Sequence, residues 1–358
     1  MPGRRDIKPI DPAFCRRCQI AEPTITVRTE PLCNNCFAKY VTTKVIKRME
    51  SFRVRHSEPD RERTLLLPLS FGVGSTVLLH LLSQHLQGQR EKTGRTGFGL
   101  HVLHVDDGSA STSDAGPGRL EQVKERFPGH AFTTLPLSRM LALEDVSTLL
   151  SSQTDTGQMP NKDETTVEDL LASLGSPTSR TDAIQILRCK LIIDFAKTMS
   201  CEAILWGDST TRLSERILAE TAKGRGFSLP WMVADGESPY GIPLYYPMRD
   251  LLSKEITSFA ATIQLSLDDL IVKDEHKQTV SMRDATIDGL MKQYFESVER
   301  EYPSIVANVV KTAGKLQQVS LNEVETQCEL CDLPLLDAAP ERSRLCYGCI
   351  RTLGKSAA

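Results

Sequence analysis

The chain has 358 residues, of which 40% are hydrophobic and 25% charged, and its formal net charge is −3. This length allows one large or two ordinary domains, and the composition excludes a disordered chain, a fibrous repeat and a small disulfide-stapled scaffold. The richest apolar stretch, residues 65–86, is interrupted by polar residues, so the sequence predicts no membrane-spanning segment.

The first dozen residues lack the apolar core of a secretory signal. We therefore expect a protein of the cytoplasm, where the reducing environment keeps cysteines as thiols or metal ligands.

Eight of the ten cysteines form two sets with the same spacing, C-x2-C-x14-C-x2-C. The sets are Cys15, Cys18, Cys33 and Cys36 near the start, and Cys328, Cys331, Cys346 and Cys349 near the end. Two such pairs complete the tetrahedral shell of four thiolates that zinc prefers, with no coordination position left for catalysis. The sequence predicts two structural zinc ribbons. Structural or disulfide cysteines and an iron–sulfur cluster are the alternatives.

The segment after the first ribbon is strongly basic. Residues 39–55 contain one acid, Glu50, and six basic side chains: Lys39, Lys44, Lys47, Arg48, Arg53 and Arg55. Because the whole chain carries a net negative charge, binding to nucleic acid has to come from such a local patch. We predict that these residues bind RNA phosphates, and a solvated helix face is the alternative.

The middle of the chain alternates apolar runs with amphipathic segments, as in a parallel sheet with crossover helices. We predict strands at residues 64–69, 99–106, 131–135 and 203–207, and helices at residues 76–86, 119–127 and 182–200. Two polar stretches, residues 107–118 and 151–166, are predicted to be surface insertions. The fold class is therefore α/β.

These patterns predict four consecutive units. They are an N-terminal zinc ribbon (residues 1–38), a basic connecting helix (39–63), the α/β domain (64–319) and a C-terminal zinc ribbon (320–358).

The first strand of the predicted core runs into a glycine- and serine-bearing loop, residues 70–75, before a helix. Glycines let the backbone approach an anion, and the helix N-terminus and the hydroxyls supply hydrogen-bond donors. This predicts a phosphate-binding loop with Ser70, Gly72, Gly74 and Ser75 as candidate ligands. A turn that binds no ligand is the alternative.

With this loop between two cysteine ribbons, the chain resembles the PP-loop ATPase superfamily, in particular its tRNA 2-thiolation branch. Members carry Ser-Gly-Gly-x-Asp-Ser after the first strand, bind ATP there, adenylate a uridine carbonyl and replace its oxygen with sulfur. Ser70, Gly72 and Ser75 match, but Phe71 replaces a glycine and Gly74 replaces the aspartate. We expect the ring of Phe71 in the path of the phosphate, which argues against ATP binding.

The departures from the family continue at its chemical positions. Where the catalytic branch has Cys-x-x-Cys, residues 179–182 read Ser-Arg-Thr-Asp, and the family's Gly-His-x-x-Asp-Asp appears at residues 207–212 as Gly-Asp-Ser-Thr-Thr-Arg. Cys189 and Cys201 lie outside the ribbons and point to different sides of a predicted helix. We expect both to be inert thiols, with a sulfur-carrying role for one of them as the alternative.

This pattern looks like the non-catalytic subunit of the eukaryotic cytosolic tRNA 2-thiolation complex. The resemblance implies a heterodimer with the catalytic thiolating paralogue and action on the wobble uridine of lysine, glutamate and glutamine tRNAs. It also implies sulfur from a thiocarboxylated ubiquitin-related modifier, and hence a link to protein urmylation. Two other functions remain open: an active ATP-dependent tRNA-adenylating sulfurtransferase, and a zinc-ribbon interaction protein that does not act on RNA.

Overall fold

The computed structural model of the chain describes residues 11–57, 63–106, 116–142, 167–263, 266–272, 285–316, 320–321, 326–335 and 344–354. Of the predicted insertions, residues 107–115 and 151–166 lie outside this part of the chain.

Strands and helices alternate through most of the described residues. The strands are β1 (Ile25–Val27), β2 (Glu30–Leu32), β3 (Thr64–Pro68), β4 (Gly99–Asp106), β5 (Ala131–Pro136), β6 (Ala203–Leu205) and β7 (Leu244–Tyr245). The helices are α1 (Asn34–Arg48), α2 (Val73–Thr93), α3 (Gly116–Arg126), α4 (Val167–Ser173), α5 (Pro177–Thr198), α6 (Thr210–Ala222), α7 (Ser253–Thr262), α8 (Ile287–Glu301), α9 (Pro303–Ala313) and α10 (Tyr347–Leu353), with a short helical turn at Leu229–Met232.

The central sheet is parallel, with strand order β5-β4-β3-β6-β7. The chain moves from β3 outward to β5 and then returns to the other side of β3 to form β6. Ligands of open α/β sheets bind at such a reversal, beyond the carboxyl ends of the strands. The reversal therefore brings together the loop after β3 and the residues that follow β6.

Alternate residues of each strand pack on opposite faces of the sheet, as the pleat requires. Leu65 and Leu67 lie in an apolar cluster with α1, α2 and α7. Leu66 lies in a second cluster, formed chiefly by α5 and α6. Both faces are thus covered, which explains why the central strands β3 and β6 are almost continuously apolar.

The predicted strands at residues 64–69, 99–106 and 131–135 are confirmed within a residue at each end. The helix predicted from residue 76 begins earlier, at Val73, and ends later, at Thr93, because the next residue, Gly94, has a left-handed φ of 73°. The helix predicted from residue 182 begins at Pro177, because the side chain of Ser176 accepts a hydrogen bond from the backbone N–H of Ser179 and caps it.

The two cysteine units are attached to the core in different ways. The β1–β2 hairpin and α1 share the apolar cluster of α2, with Cys15, Leu32 and Phe37 buried in it. The C-terminal cysteines instead form a small cluster of their own, against Ile186 and Phe227. The domain limits at residues 38, 63 and 319 stay predictions, and the N-terminal apolar cluster continues across the first two.

Candidate functional site

The four cysteines of the N-terminal set come together, with their Sγ atoms within 4.8 Å of one another. Cys15 and Cys18 lie on a turn before β1, and Cys33 and Cys36 lie at the start of α1, so the hairpin folds one pair onto the other. Burial raises the pKa of the Cys15 thiol, but backbone hydrogen bonds outweigh it and lower the pKa to about 6. A thiol that ionises this readily is a suitable metal ligand.

The C-terminal set is equally compact. The Sγ atoms of Cys331 and Cys346 are 3.8 Å apart, and the backbone N–H of Cys346 donates to the Sγ of Cys328 at 3.3 Å. Hydrogen bonds from the other three thiols lower the pKa of Cys328. Each set can therefore hold one metal ion.

The hydroxyl groups predicted to bind phosphate are hydrogen-bonded within their own loop. The Oγ atoms of Ser70 and Ser75 are 3.2 Å apart, and the Ser75 hydroxyl donates to the carbonyl of Gly72 at 3.2 Å. The backbone N–H of Ser70 donates in turn to the Oγ of Ser75 at 3.3 Å. The loop is thus braced internally, and its role as a phosphate ligand stays a prediction.

Phe71 lies in an unexpected place. Its ring is only 2% exposed and packs on the imidazole of His104, with ring centroids 4.6 Å apart. We expected the ring in the path of the phosphate, but the structure places it in the core. The backbone of Phe71 is left-handed, with φ of 57°, a conformation that favours the glycine of the family.

Gly74 lies against the backbone that follows β6. A Cβ atom at position 74 would be 2.2 Å from the carbonyl oxygen of Gly207, and one at position 207 would be 2.7 Å from the backbone nitrogen of Ser75. No side chain fits at position 74 in this conformation. The close approach of two backbone segments therefore explains why position 74 lacks the family's aspartate. The sequence motifs did not indicate this contact.

Asp182, where the resemblance places the second cysteine of the catalytic branch, forms a buried ion pair. Asp182 is 2% exposed and pairs with Arg225 and with Lys223, whose Nζ lies 2.9 Å from its Oδ1. The hydroxyl of Thr352 donates to its other oxygen at 2.5 Å. Burial raises the pKa of Asp182, but the two cations and the hydrogen bonds lower it overall.

The residues after β6 also make structural contacts. The Oγ atoms of Ser209 and Ser253 are 2.8 Å apart, which joins the starts of α6 and α7. The hydroxyl of Thr211 donates to the carboxylate of Glu299 at 2.8 Å. Glu299, which no sequence motif indicated, thereby connects α8 to the N-terminus of α6.

The two cysteines outside the ribbons have unreactive surroundings. Burial raises the pKa of the Cys189 thiol to about 11, and it also raises the pKa of Cys201. A raised pKa favours the protonated thiol, which is a weak nucleophile. This supports the expectation that they are inert, which stays a prediction.

Two of the six basic side chains of the RNA-binding prediction hold α1 against the core. Lys44 donates to the backbone carbonyl of Asp250 at 2.9 Å. Arg48 pairs with the carboxylates of Asp250, at 2.8 Å, and Asp235, at 3.2 Å. These two cations are half-buried and engaged within the chain.

The remaining four differ among themselves. Arg53 and Arg55 both pair with Glu50, the one acid of the segment. Lys39 and Lys47 are exposed on the outer side of α1. The structure thus separates the six residues by their surroundings, and their binding of RNA stays a prediction.

The fold is similar to that of a solved RNA-modifying enzyme. The U34-tRNA thiolase NcsA from Methanococcus maripaludis, solved with its 4Fe–4S cluster, aligns with a TM-score of 0.57 over 88% of this chain and 89% of the thiolase, at 14% identity. At that identity the likeness concerns the fold alone. The chain has the α/β fold of this thiolase, with a four-cysteine unit near each end.

Sequence comparison identifies the family within this fold class. The protein called Cytoplasmic tRNA 2-thiolation protein 2 is 44% identical in Phaeosphaeria nodorum, over 99% of this chain and 97% of the relative, and 40% identical in Pyrenophora tritici-repentis, over 99% and 98%. The family model of that description matches residues 286–344. The chain belongs to the family of Cytoplasmic tRNA 2-thiolation protein 2, which confirms the resemblance. None of the comparisons favours the two alternative functions.

Among the described residues, no helix combines the length and the apolar character needed to cross a bilayer.

Proposed function

We propose that the chain is the non-catalytic subunit of the cytoplasmic machinery that 2-thiolates the wobble uridine of lysine, glutamate and glutamine tRNAs. Membership of the family supports the pathway. The surroundings of Asp182 support the non-catalytic role. The resemblance places a cysteine of the thiolating branch at this position. Here the position has a buried carboxylate, which is bound by Arg225, Lys223 and Thr352. A group held in this way cannot act as a nucleophile on sulfur.

The proposed partners follow from what the chain lacks. A catalytic paralogue, as the second subunit of a heterodimer, supplies the ATP-binding loop and the thiolate. A thiocarboxylated ubiquitin-related modifier supplies the sulfur, and tRNA is the substrate. We do not assign ATP to this chain, because the loop at residues 70–75 has no space for the family's aspartate at Gly74.

We propose zinc as the metal of both cysteine units. Four sulfurs each 2.3 Å from a single ion stand about 3.8 Å apart in a tetrahedron. One sulfur–sulfur distance in each unit, Cys18–Cys33 and Cys331–Cys346, is 3.8 Å, and all four sulfurs of each unit lie within 4.8 Å of one another, which fits that arrangement. A four-iron cluster needs a wider cage, because its cysteines bind four different metal atoms. Zinc held by four thiolates would supply stability to the two units and no catalysis.

Genetic replacement tests the function. In cells without the endogenous protein, wobble thiolation should be lost, and this chain should restore it. The Cys189→Ser/Cys201→Ser variant should restore it as well, since neither thiol carries sulfur in this proposal. Thiolated tRNA is measured by its retarded migration in a mercury-containing gel.

Two results would contradict the proposal. Thiolation that persists without the protein would exclude a required subunit. A folded double-serine variant that fails to restore thiolation would favour the active-enzyme alternative. Co-purification from cells should also recover, in stoichiometric amount, a paralogue with the intact Ser-Gly-Gly-x-Asp-Ser motif.

The exposed cations of α1 are the leading RNA contacts in this proposal. The variant Lys39→Glu/Lys47→Glu should weaken tRNA binding and reduce the salt dependence of log Kd by about 1–2, because each lost phosphate contact removes nearly one released counterion. Lys92→Glu/Lys315→Glu changes the charge equally at exposed lysines elsewhere and should have little effect. Equal affinity and slope in both variants would show that this face of α1 is merely solvated.

A further inference from the structure

The C-terminal cysteine unit, residues 326–335 and 344–354, is held by a lysine from outside it. Lys190 of α5 is 8% exposed, and its Nζ donates to the backbone carbonyl of Glu329 at 3.0 Å and to the carboxylate of Asp332 at 2.8 Å. Glu329 lies between Cys328 and Cys331. The lysine therefore binds the middle of the metal-binding turn. If the turn opened, the buried ammonium group would lose both of these partners.

The helix that carries the other two cysteines of this unit is also fixed to the core. A Cβ atom at Gly348, between Cys346 and Cys349, would lie 2.6 Å from the Cγ of Arg225, so the backbone of α10 rests directly on that side chain. Arg225 is 2% exposed and donates to Glu220 at 2.6 Å. Movement of α10 would therefore disturb a fully buried cluster of charges.

The N-terminal turn that carries Cys15 and Cys18 is held more loosely. Its backbone hydrogen bonds, such as that from Arg16 to the carbonyl of Pro31 at 2.9 Å, are made within the unit itself. The ion pair of Arg17 with Glu30 is also local, and the two side chains are 41% and 42% exposed.

The metal-ligating cysteines of the two units also differ in their exposure to solvent. Cys18 and Cys36 of the N-terminal unit are half-buried, whereas all four cysteines of the C-terminal unit are 8% exposed or less. A chelator in solution can directly reach two of the N-terminal sulfurs, those of Cys18 and Cys36, whereas Cys15 and Cys33 are buried. It can reach the C-terminal sulfurs only after their unit has separated from α5 and α6.

We propose that the two units exchange metal at very different rates. The N-terminal ion exchanges quickly. The C-terminal ion exchanges slowly because Lys190, which is not itself a metal ligand, holds the turn that binds it. Contacts around metal ligands commonly change metal affinity by about 10- to 100-fold when they are mutated. The inference rests on the zinc loading proposed above, and the metal count tests that loading separately.

The test is the rate of zinc release from the intact chain. Protein whose zinc content has been counted by native mass spectrometry is mixed with an excess of a coloured zinc chelator. One equivalent should leave quickly and the other at least tenfold more slowly. Cys15→Ser should remove the fast phase, and Cys346→Ser should remove the slow one.

Lys190→Met removes the ammonium group and keeps most of the buried hydrocarbon chain, so it tests whether the contacts of this ammonium group slow metal release. It should accelerate the slow phase about tenfold or more and leave the fast phase unchanged. Lys197→Met, an exposed lysine on the same helix, is the matched control and should change neither phase. Circular dichroism shows whether Lys190→Met folds. If it does not, Asp332→Asn removes the negative charge that pairs with Lys190 and should have the same effect on the slow phase.

The outcomes separate this inference from the zinc proposal. Two zinc ions leaving at one rate, or a slow phase unaffected in a folded Lys190→Met or Asp332→Asn variant, would overturn the inference while the two-zinc proposal stands. The chain could also be isolated with a single zinc ion that only Cys346→Ser removes. This result would contradict the two-zinc proposal but support the difference in metal retention between the two units. A single zinc that only Cys15→Ser removes, or no zinc at all, would overturn both.

Discussion

Single residues account for the divergence of the loop after β3 from the family motif. Phe71 adopts a left-handed backbone and compensates for its strain by burying its ring against His104. Gly74 is required for a different reason, since a Cβ atom there would lie 2.2 Å from the carbonyl oxygen of Gly207. Restoring the family sequence at either position therefore does not restore the family's loop, because the surroundings have changed as well.

Gly74→Asp provides the test at this scale. Although it recreates the carboxylate of the ATP-binding motif, it should lower the free energy of unfolding by about 1–3 kcal/mol, since the new Cβ collides with Gly207. Gly88→Ala is the matched control in the same helix. No atom would lie within 4 Å of its Cβ, so it should be neutral or stabilising by up to about 1 kcal/mol. Urea denaturation measures both, and a Gly74→Asp variant of normal stability that binds ATP would contradict this account.

Among the helices, α8 has a connecting role. Its residue Glu299 is 5% exposed, and its two carboxylate oxygens accept hydrogen bonds from the hydroxyl of Thr211 and the backbone N–H of Lys254, each at 2.8 Å. One negative charge thus stabilises the N-termini of α6 and α7 together. The helix lies in the segment that matches the family model, residues 286–344.

Removal of this carboxylate should weaken the attachment of α8. Glu299→Ala leaves the buried hydroxyl of Thr211 and the backbone N–H of Lys254 without their acceptor, and it should cost about 1–3 kcal/mol of stability. Glu301→Ala, at the exposed end of the same helix, should stay within about 0.5 kcal/mol of the unchanged protein. Thermal melting followed by circular dichroism compares the two, and equal melting temperatures would show that Glu299 does not carry this connection.

At the scale of the whole molecule, the folded structure lowers the pKa of several histidines. Burial, with the nearby charge of Arg126, lowers the pKa of His80 to about 4. Burial likewise lowers the pKa of His85, His101 and His130. In the unfolded chain these groups bind protons near their ordinary pKa of about 6.5.

This difference predicts acid sensitivity. Between pH 6.5 and about pH 4 the unfolded chain binds more protons than the folded one, so stability falls as the pH decreases. The loss attributable to His80 approaches about 1.4 kcal/mol per pH unit within this window, reduced by partial exposure to solvent. Urea unfolding at pH 7.5, 6.5 and 5.5 measures it, with zinc content checked at each pH because thiolates also bind protons.

Substitution identifies the groups responsible for this acid sensitivity. His80→Gln should reduce the slope of stability against pH, whereas His56→Gln, at an exposed position, should leave it unchanged. The same slope in both variants would assign the acid sensitivity to other groups.

Several features of this protein were determined by the sequence alone. The two four-cysteine sets and the strands β3, β4 and β5 were predicted because their signals are local: fixed ligand spacing in the first case, and runs of apolar residues in the second. The two-residue strand β7 was missed, since Leu244–Tyr245 is too short to produce a pattern.

Only the tertiary structure decided which of these residues are available for function. Lys44 and Arg48 look like free cations in the sequence, but Asp250, 206 positions after Lys44, binds both. Lys190 likewise meets Asp332 across 142 positions. No local pattern encodes such pairs, because a charge is neutralised by whatever group the fold brings within a few ångströms of it, and that depends on the packing of the whole chain.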